Sequence, residues 1–431
     1  MPEIAILIGV QIRRRKEPVN PLTELSVEDS LKELFLLAES AGATVAGQLI
    51  QIRDHADRAT LIGAGKITEI AALAAAVSAD TILFDCELTP TQQRNLEREL
   101  SLKVLDRTQL ILDLFAARAR TREGQLQVEL AQLNYMLPRL AGKGITLSRL
   151  GGGIGTRGPG ETQLELDRRK IAGKLKAIKR NLARVRGGRG IQRRQRQGVP
   201  LATVALVGYT NAGKSSLFNR LTNASVLADA KMFATLDPTV RHIVLPSRRK
   251  ILLSDTVGFI RRLPTTLVEA FRATLEEVTE AALLLHVVDA SSPHASSYVE
   301  HVQHVLKEIH AEGTRQILVL NKADLVVDPH DRVIQARRIL QDANAESSAF
   351  AVSARTGQGL EALREAIDRA LLLDPVARIR LRIPAAEGAS LHLLHEYARV
   401  YTKNFVEDYC EIEADAPASI RRQLARYELI S

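Results

Sequence analysis

Gly208-Tyr209-Thr210-Asn211-Ala212-Gly213-Lys214-Ser215 is the stretch on which the fold of this 431-residue chain turns. It leaves the β-branched, apolar run Thr203-Val204-Ala205-Leu206-Val207, whose composition predicts a buried parallel strand. It enters Lys214-Ser215-Ser216-Leu217-Phe218-Asn219-Arg220-Leu221, which reads as a helix. Gly208 and Gly213 let the backbone curl so that its N–H groups face a phosphate at the helix N-terminus. Lys214 is expected to neutralise the outer phosphates, and the Ser215 hydroxyl to ligate Mg²⁺. The strand–loop–helix setting makes Gly208, Tyr209, Thr210, Asn211, Ala212, Gly213, Lys214, Ser215 and Ser216 the candidate phosphate contacts.

Two further motifs follow in the order that a guanine-nucleotide domain needs. Asp255-Thr256-Val257-Gly258 comes after the apolar run Ile251-Leu252-Leu253-Ser254. There Asp255 would hold Mg²⁺ through water, and the Gly258 N–H would touch the γ-phosphate. Asn321-Lys322-Ala323-Asp324 comes after Gln316-Ile317-Leu318-Val319-Leu320. A carboxylate at 324 accepts from guanine N1–H and the exocyclic amine together, whereas adenine presents an acceptor at N1 and no amine there. A buried mismatch of that kind discriminates strongly, because the unpaired group keeps its desolvation cost. Asn321 would brace the loop, the Lys322 stem would cover the ring plane, and Ser353-Ala354-Arg355 could meet guanine O6. The substrate implied is GTP and the product GDP.

Between the first two motifs lies the switch-like Phe233-Ala234-Thr235-Leu236-Asp237. Thr235 is the expected switch ligand to Mg²⁺, with Thr239 the competing candidate, so the metal ligands expected are Ser215 and Thr235. Lys214, Thr235 and Gly258 are the candidate catalytic groups. Many GTPases carry a Gln just after Asp-x-x-Gly to orient the attacking water, but here the residue is Phe259. Slow intrinsic turnover, stimulated by a partner, is the expectation.

The whole chain is ordinary in composition, with 45% hydrophobic and 25% charged residues, enough for two or three cores. Only Cys86 and Cys410 are present, which argues against a disulfide scaffold. No secretory signal and no apolar stretch of membrane-spanning length are visible, so a cytoplasmic location without a membrane span is expected. The net charge of +9 is uneven: residues 139–200 hold 17 Lys or Arg against Glu161, Glu165 and Asp167, a local balance of +14. A stripe so poor in acids points to a polyanion, nucleic acid above all, rather than to a merely solvated face.

The predicted organisation is α/β: a P-loop GTPase domain at 199–374, preceded by an N-terminal α/β domain at 1–110 and a basic antiparallel helical hairpin at 111–198. A small α+β domain, 375–431, follows. In the first region, strands at 4–8, 44–50, 81–85 and 103–106 alternate with helices. Ser26 and Asp29 cap one helix, and Gly63-Ala64-Gly65-Lys66 reads as a turn before another. One long helix is expected over 108–138 and a second over 161–186, each with a heptad-like apolar stripe. Between them lies Gly151-Gly152-Gly153-Ile154-Gly155-Thr156-Arg157-Gly158-Pro159-Gly160, which with Arg149 could approach phosphates closely. The last region reads as strand, helix, two strands and a helix, and is locally acidic at Glu407, Asp408, Glu411, Glu413 and Asp415. The pairs His301/His304 and His392/His395 are assigned to solvated faces.

Over nearly its whole length the chain resembles the HflX-type GTPases. The most specific segment is Ser148-Arg149-Leu150-Gly151-Gly152-Gly153-Ile154-Gly155-Thr156-Arg157-Gly158-Pro159-Gly160-Glu161-Thr162-Gln163-Leu164-Glu165, followed by the 208–215 loop and Phe233 to Thr239. The resemblance implies a monomer that docks on the ribosome, chiefly the large subunit, with residues 139–198 meeting ribosomal RNA. It also implies separation of stalled or idle ribosomes by some members, and a hydrophobic residue at 259. An ATP-related activity is associated with the family's N-terminal domain, but no nucleotide motif stands in residues 1–110. The competing function is a nucleotide-regulated signalling or scaffold switch acting on a protein. Asn321-Lys322-Ala323-Asp324 argues against a metabolic P-loop kinase.

Overall fold

The computed structural model describes residues 2–13, 26–140, 169–185, 201–222, 232–233, 235–236, 238–261, 272–326, 349–371 and 376–429. The N-terminal region is a parallel sheet in the order β2-β1-β3-β4, formed by Ile4–Ile12 (β1), Thr44–Arg53 (β2), Thr81–Phe84 (β3) and Lys103–Asp106 (β4). Ala5, Ile6, Leu7 and Ile8 are buried on both faces of β1, as a strand flanked by helices requires. Val27–Ser40 (α1) starts at Ser26, whose hydroxyl accepts from the Asp29 N–H. Ala64–Val77 (α2) follows the Gly63 turn, and Pro90–Leu100 (α3) opens with a reciprocal Thr89/Gln92 cap. The alternation expected from the sequence is therefore present.

The single helix expected over 108–138 is two helices, Arg107–Arg118 (α4) and Arg122–Leu140 (α5). Ala119 adopts an extended conformation, and Thr121 restarts the chain by accepting the Gly124 N–H on its hydroxyl. Residues 116–125 hold no large apolar side chain, so the spacing of Leu126, Leu130, Leu133 and Leu137 did not fix where that helix starts. Residues 169–185 form the helix α6. Leu126 of α5 clusters with Ile178 and Leu182 of α6, with Leu130 and Leu133 alongside, and Lys174 pairs with Glu129 at 2.7 Å. Positions that descend along α5 meet positions that ascend along α6, so the two are antiparallel, as the hairpin expectation required. Residues 141–168, including the glycine-rich loop with Arg157, and the basic run 186–200 lie outside the described residues.

The second sheet has six strands, in the order β10-β9-β8-β5-β7-β6. These are Thr203–Gly208 (β5), Thr239–Val244 (β6), Lys250–Asp255 (β7), Leu283–Asp289 (β8), Gln316–Asn321 (β9) and Ala349–Ala351 (β10). All neighbours are parallel except β6 against β7. Lys214–Thr222 (α7), Arg272–Thr279 (α8), Ala295–Glu308 (α9) and Leu360–Ala370 (α10) accompany it. Because the strands run parallel, Gly208, Asp255, Asp289 and Asn321 all end at one edge, where open α/β sheets bind ligands.

The C-terminal strands Val376–Pro384 (β11), Arg399–Val406 (β12) and Tyr409–Pro417 (β13) form an antiparallel sheet in the order β11-β13-β12. Gly388–Tyr397 (α11) and Ala418–Leu424 (α12) complete the expected strand–helix–strand–strand–helix order. Cys410, Ile412, Ala414 and Ala416 face the core, while Glu411 and Glu413 face outward. The acidity read from the sequence is offset there by β11, since Arg378 and Arg380 pair with Glu413, and Arg382 with Glu411. Among the described residues, no helix is long and apolar enough to cross a membrane.

Candidate nucleotide site

The site forms where the sheet edge forces the chain to turn. Gly208 ends β5, the loop crosses above it, and Lys214 begins α7. At Gly213 the backbone sits at φ +88°, and a Cβ would lie 2.2 Å from Asn321 Nδ2, so no other residue fits without moving the base-reading loop. Lys214 Nζ donates to the carbonyls of Gly208 (3.1 Å) and Tyr209 (2.8 Å), which folds the side chain over the loop. Burial lowers its pKa to about 8 against the opposing pull of Asp255. A buried ammonium held only by carbonyls is a cation short of an anion, and an anionic phosphate supplies it.

Three oxygen donors converge beside Lys214. Ser215 Oγ donates to Asp255 Oδ2 at 2.7 Å, Thr235 Oγ1 donates to the same oxygen at 2.8 Å, and the two hydroxyls are 2.8 Å apart. Asp255 Oδ1 is buried with no hydrogen-bond partner among the described residues. Burial raises the Asp255 carboxyl, while Ser215, Lys214 and Thr235 pull it back down. A cluster of hard oxygen donors with a spare carboxylate oxygen is chemistry that suits a small divalent cation. Thr239, the competing switch residue, begins β6 opposite Asp255. Thr235 is the one whose hydroxyl joins the cluster. Ala234 and Asp237 lie outside the described residues.

Asn321 braces the base-reading loop in two directions. Its amide donates to the Ala212 carbonyl at 2.9 Å, and its carbonyl oxygen accepts from the Ala354 N–H at 3.0 Å. That joins the phosphate loop, the base-reading motif and Ser353-Ala354-Arg355 through one side chain. Ser353 Oγ donates to Asp324 Oδ1 at 2.6 Å, orienting the carboxylate that would meet guanine. Lys322 is held by Asp289 at 2.7 Å, Ala323 is buried, and Ser216 and Arg355 are exposed at the rim. Thr256 is fixed by donation to the Leu206 carbonyl. Val257 is buried, and Gly258 lies against Lys214.

Other features of the site were not read from sequence. Phe233, Met232 and Leu236 of the switch segment, with Val257 and Ile260, pack into the same apolar cluster as Leu34, Leu37 and Phe115 of the N-terminal region. Phe233 meets Phe115 edge-on, with ring centroids 4.6 Å apart. Tyr209 stacks on Tyr298 at 4.1 Å, accepts from the Arg261 N–H and donates to Glu33. His301, expected on a solvated face, is instead half-buried: its Nε2 lies 2.9 Å from the Ile260 carbonyl and its ring stands against Tyr209. Helical spacing placed it on α9, but not on the face that packs under the phosphate loop. Asp289 carried a readable signal, an acid at the end of the apolar run Leu283 to Val288.

Comparison with known proteins finds relatives along most of the chain. Family models described as GTP-binding GTPase N-terminal, GTP-binding GTPase Middle Region and 50S ribosome-binding GTPase match residues 28–116, 118–196 and 203–322. GTPase HflX of Caldanaerobacter subterraneus is 45% identical over 400 residues, covering 93% of this chain and 90% of the relative. GTPase HflX of Magnetococcus marinus is 47% identical over 399 residues (91% and 89%), and that of Escherichia coli 45% over 386 (90% and 87%). A crystal structure of a GTP-binding protein from Sulfolobus solfataricus in complex with GDP aligns at 24% identity and a TM-score of 0.46, covering 85% of this chain and 98% of that one. On the curated relatives and the three matching models, this chain belongs to the HflX family of GTPases, enzymes that bind and hydrolyse GTP.

Proposed function

We propose that this GTPase docks on the ribosome in its GTP-bound form, chiefly on the large subunit, and dissociates stalled or idle ribosomes. Ribosomal RNA is met by the basic hairpin and glycine-rich loop of residues 139–198. The observation that carries the reading is α6: residues 169–185 contain seven Lys or Arg and no acid, and those cations lie on its exposed side. A cationic helix surface of this kind releases counterions when it meets a phosphate backbone. The model matched by residues 203–322 is named for 50S ribosome binding, which favours the same partner. Ser215, Thr235 and Asp255 would hold Mg²⁺, which would neutralise charge on the outer phosphates. Asp324 reads guanine, Asn321 and Ser353 hold that reader in place, and Lys214 and Gly258 face the γ-phosphate.

The test is co-sedimentation with ribosomes and with isolated large subunits, using GDP or a non-hydrolysable GTP analogue. Recovery with the analogue should exceed recovery with GDP severalfold, and it should fall steeply as salt rises. Equal recovery with both nucleotides would defeat the cycle, and salt-insensitive binding would point to a protein partner instead.

A further inference from the structure

Hydrolysis of GTP needs a group that holds water in line with the γ-phosphorus, and Phe259 does not provide one. Its ring is 3% exposed and packed among Ala205, Val207, Leu275 and Val278, away from any polar role. We propose that Thr210 takes this part, its hydroxyl holding the attacking water against the terminal phosphate.

Position comes first. The Thr210 N–H donates to the Phe259 carbonyl at 2.8 Å, and the Phe259 N–H donates to the Gly208 carbonyl at 3.1 Å. These bonds pin the third residue of the phosphate loop to the Asp-x-x-Gly segment. A Cβ added at Gly258 would lie 2.9 Å from Thr210 Cγ2 and 3.0 Å from Lys214 Nζ. The Thr210 side chain, its methyl foremost, thus lies beside Gly258 and the ammonium, the two groups expected to hold the γ-phosphate.

Availability comes second. Among the hydroxyls round the loop, Ser215 and Thr235 are committed to Asp255, Thr256 to the Leu206 carbonyl, and Tyr209 to Glu33. Thr210 Oγ1 is buried and has no partner among the described residues. An unmade hydrogen bond at a buried hydroxyl is costly, so its retention calls for an explanation. Thr210 also borders a cavity of about 300 Å³ between the phosphate loop, α1 and β8, lined by Glu33, Asn211 and His286 among others, which gives water a route to the loop.

The step balances without a proton resting on threonine. The water oxygen forms a bond to the γ-phosphorus, and the bridging P–O bond breaks with its electron pair going to the β-phosphate of GDP. The water proton passes to a γ-phosphate oxygen and leaves with inorganic phosphate. Meanwhile the Thr210 hydroxyl accepts one hydrogen bond from the water and donates one to phosphate.

The inference rests on the GTPase activity of the family, and single-turnover hydrolysis by the full chain tests it. Thr210→Val keeps the shape and removes the hydroxyl; Thr210→Ser restores the hydroxyl. The valine variant should hydrolyse about 10–100-fold more slowly, in the range of a lost water-positioning group. Its affinity for GDP, which lacks the phosphate that the hydroxyl meets, should stay within about threefold of the parent, and the serine variant should recover at least a third of the parental rate. Three results overturn the proposal: a valine variant with more than half the parental rate, equal loss in valine and serine variants, or a fall in GDP affinity as large as the fall in rate. If the parent itself does not turn over GTP, the enzymatic reading fails instead, so the two failures are distinguishable.

Discussion

Tyr209 of the phosphate loop donates its hydroxyl proton to the carboxylate of Glu33 on α1, so a residue of the nucleotide motif is bonded into the N-terminal region. Glu33 is also the partner of Arg107, Arg107 reaches Asp85 at 2.8 Å, and Asp85 accepts from Ser30. Burial alone would lower the Arg107 pKa, but Glu33 and Asp85 outweigh it and the guanidinium stays charged. Burial and the neighbouring Glu33 push the Tyr209 phenol up, so it stays a donor. A buried charged chain of this kind is costly to interrupt, because each remaining member keeps its desolvation cost.

Tyr209→Phe should therefore loosen α1 even though the ring stack on Tyr298 survives. A hydrogen bond to a charged group is worth about 1.5–3 kcal/mol, which is roughly 10–100-fold in local opening. Hydrogen exchange of the amides in Val27–Ser40 reads it directly. Unchanged protection in α1, with or without GDP, would show that the bond does not couple the two regions.

Removing one metal-cluster hydroxyl should separate binding from switching. Ser215→Ala removes a hydroxyl that is close to both Thr235 and Asp255, and Mg²⁺-dependent nucleotide affinity should fall about 100-fold or more. Thr235→Ala leaves the phosphate loop intact, so GDP affinity should hold within about threefold while hydrolysis falls on the order of 100-fold. Fluorescent-nucleotide titration with and without a chelator, beside single-turnover assays, checks both. Equal effects of the two substitutions on GDP binding would remove the distinction between a resident ligand and a switch ligand.

Much of this was legible in the chain because parallel strands announce themselves. Thr203 to Val207 and Gln316 to Leu320 are apolar runs that end in polar motifs, and a parallel sheet brings such ends to one edge. The cap of α1 was also written locally, in Ser26, whereas the Thr89/Gln92 cap of α3 was not read. What escaped was whatever depends on a distant partner. Glu33 and Arg107 look like ordinary charges in amphipathic segments, and only tertiary packing buries them 176 and 102 positions away from Tyr209. Phe233 was read as part of a switch, but its seat against Phe115 is a contact between segments that no local pattern encodes. The break at Ala119 escaped because the stretch from Ala116 to Gln125 carries no large apolar residue to mark a helical phase.

Asp324→Asn should move the base preference from guanine to xanthine. Ser353 holds the Asp324 carboxylate in place, and an amide there presents a donor where guanine also presents donors. GTP affinity should fall at least 100-fold, about 3 kcal/mol, in line with an unpaired buried polar group. Xanthosine triphosphate should recover most of it. Calorimetry with both nucleotides decides the matter, and undiminished GTP binding would end the assignment of Asp324.

His286 should make the protein sensitive to acid in a defined window. It lies on β8 beside the phosphate loop and is 2% exposed; burial and the nearby Lys214 bring its pKa down from an ordinary 6.5 to about 3. The folded protein therefore keeps this ring neutral between those values, while the unfolded chain takes up a proton below 6.5. Stability contributed by the site is level above pH 6.5 and falls by about 1.4 kcal/mol per unit as pH drops towards 3. His286→Leu removes the proton acceptor but keeps an apolar side chain in the strand. Between pH 7.5 and 5 the parent should lose about 2 kcal/mol relative to the variant. His301, whose pKa burial also lowers, is present in both proteins and cancels. Thermal unfolding of the two proteins across that range measures the difference, and parallel curves would mean that His286 is not held neutral.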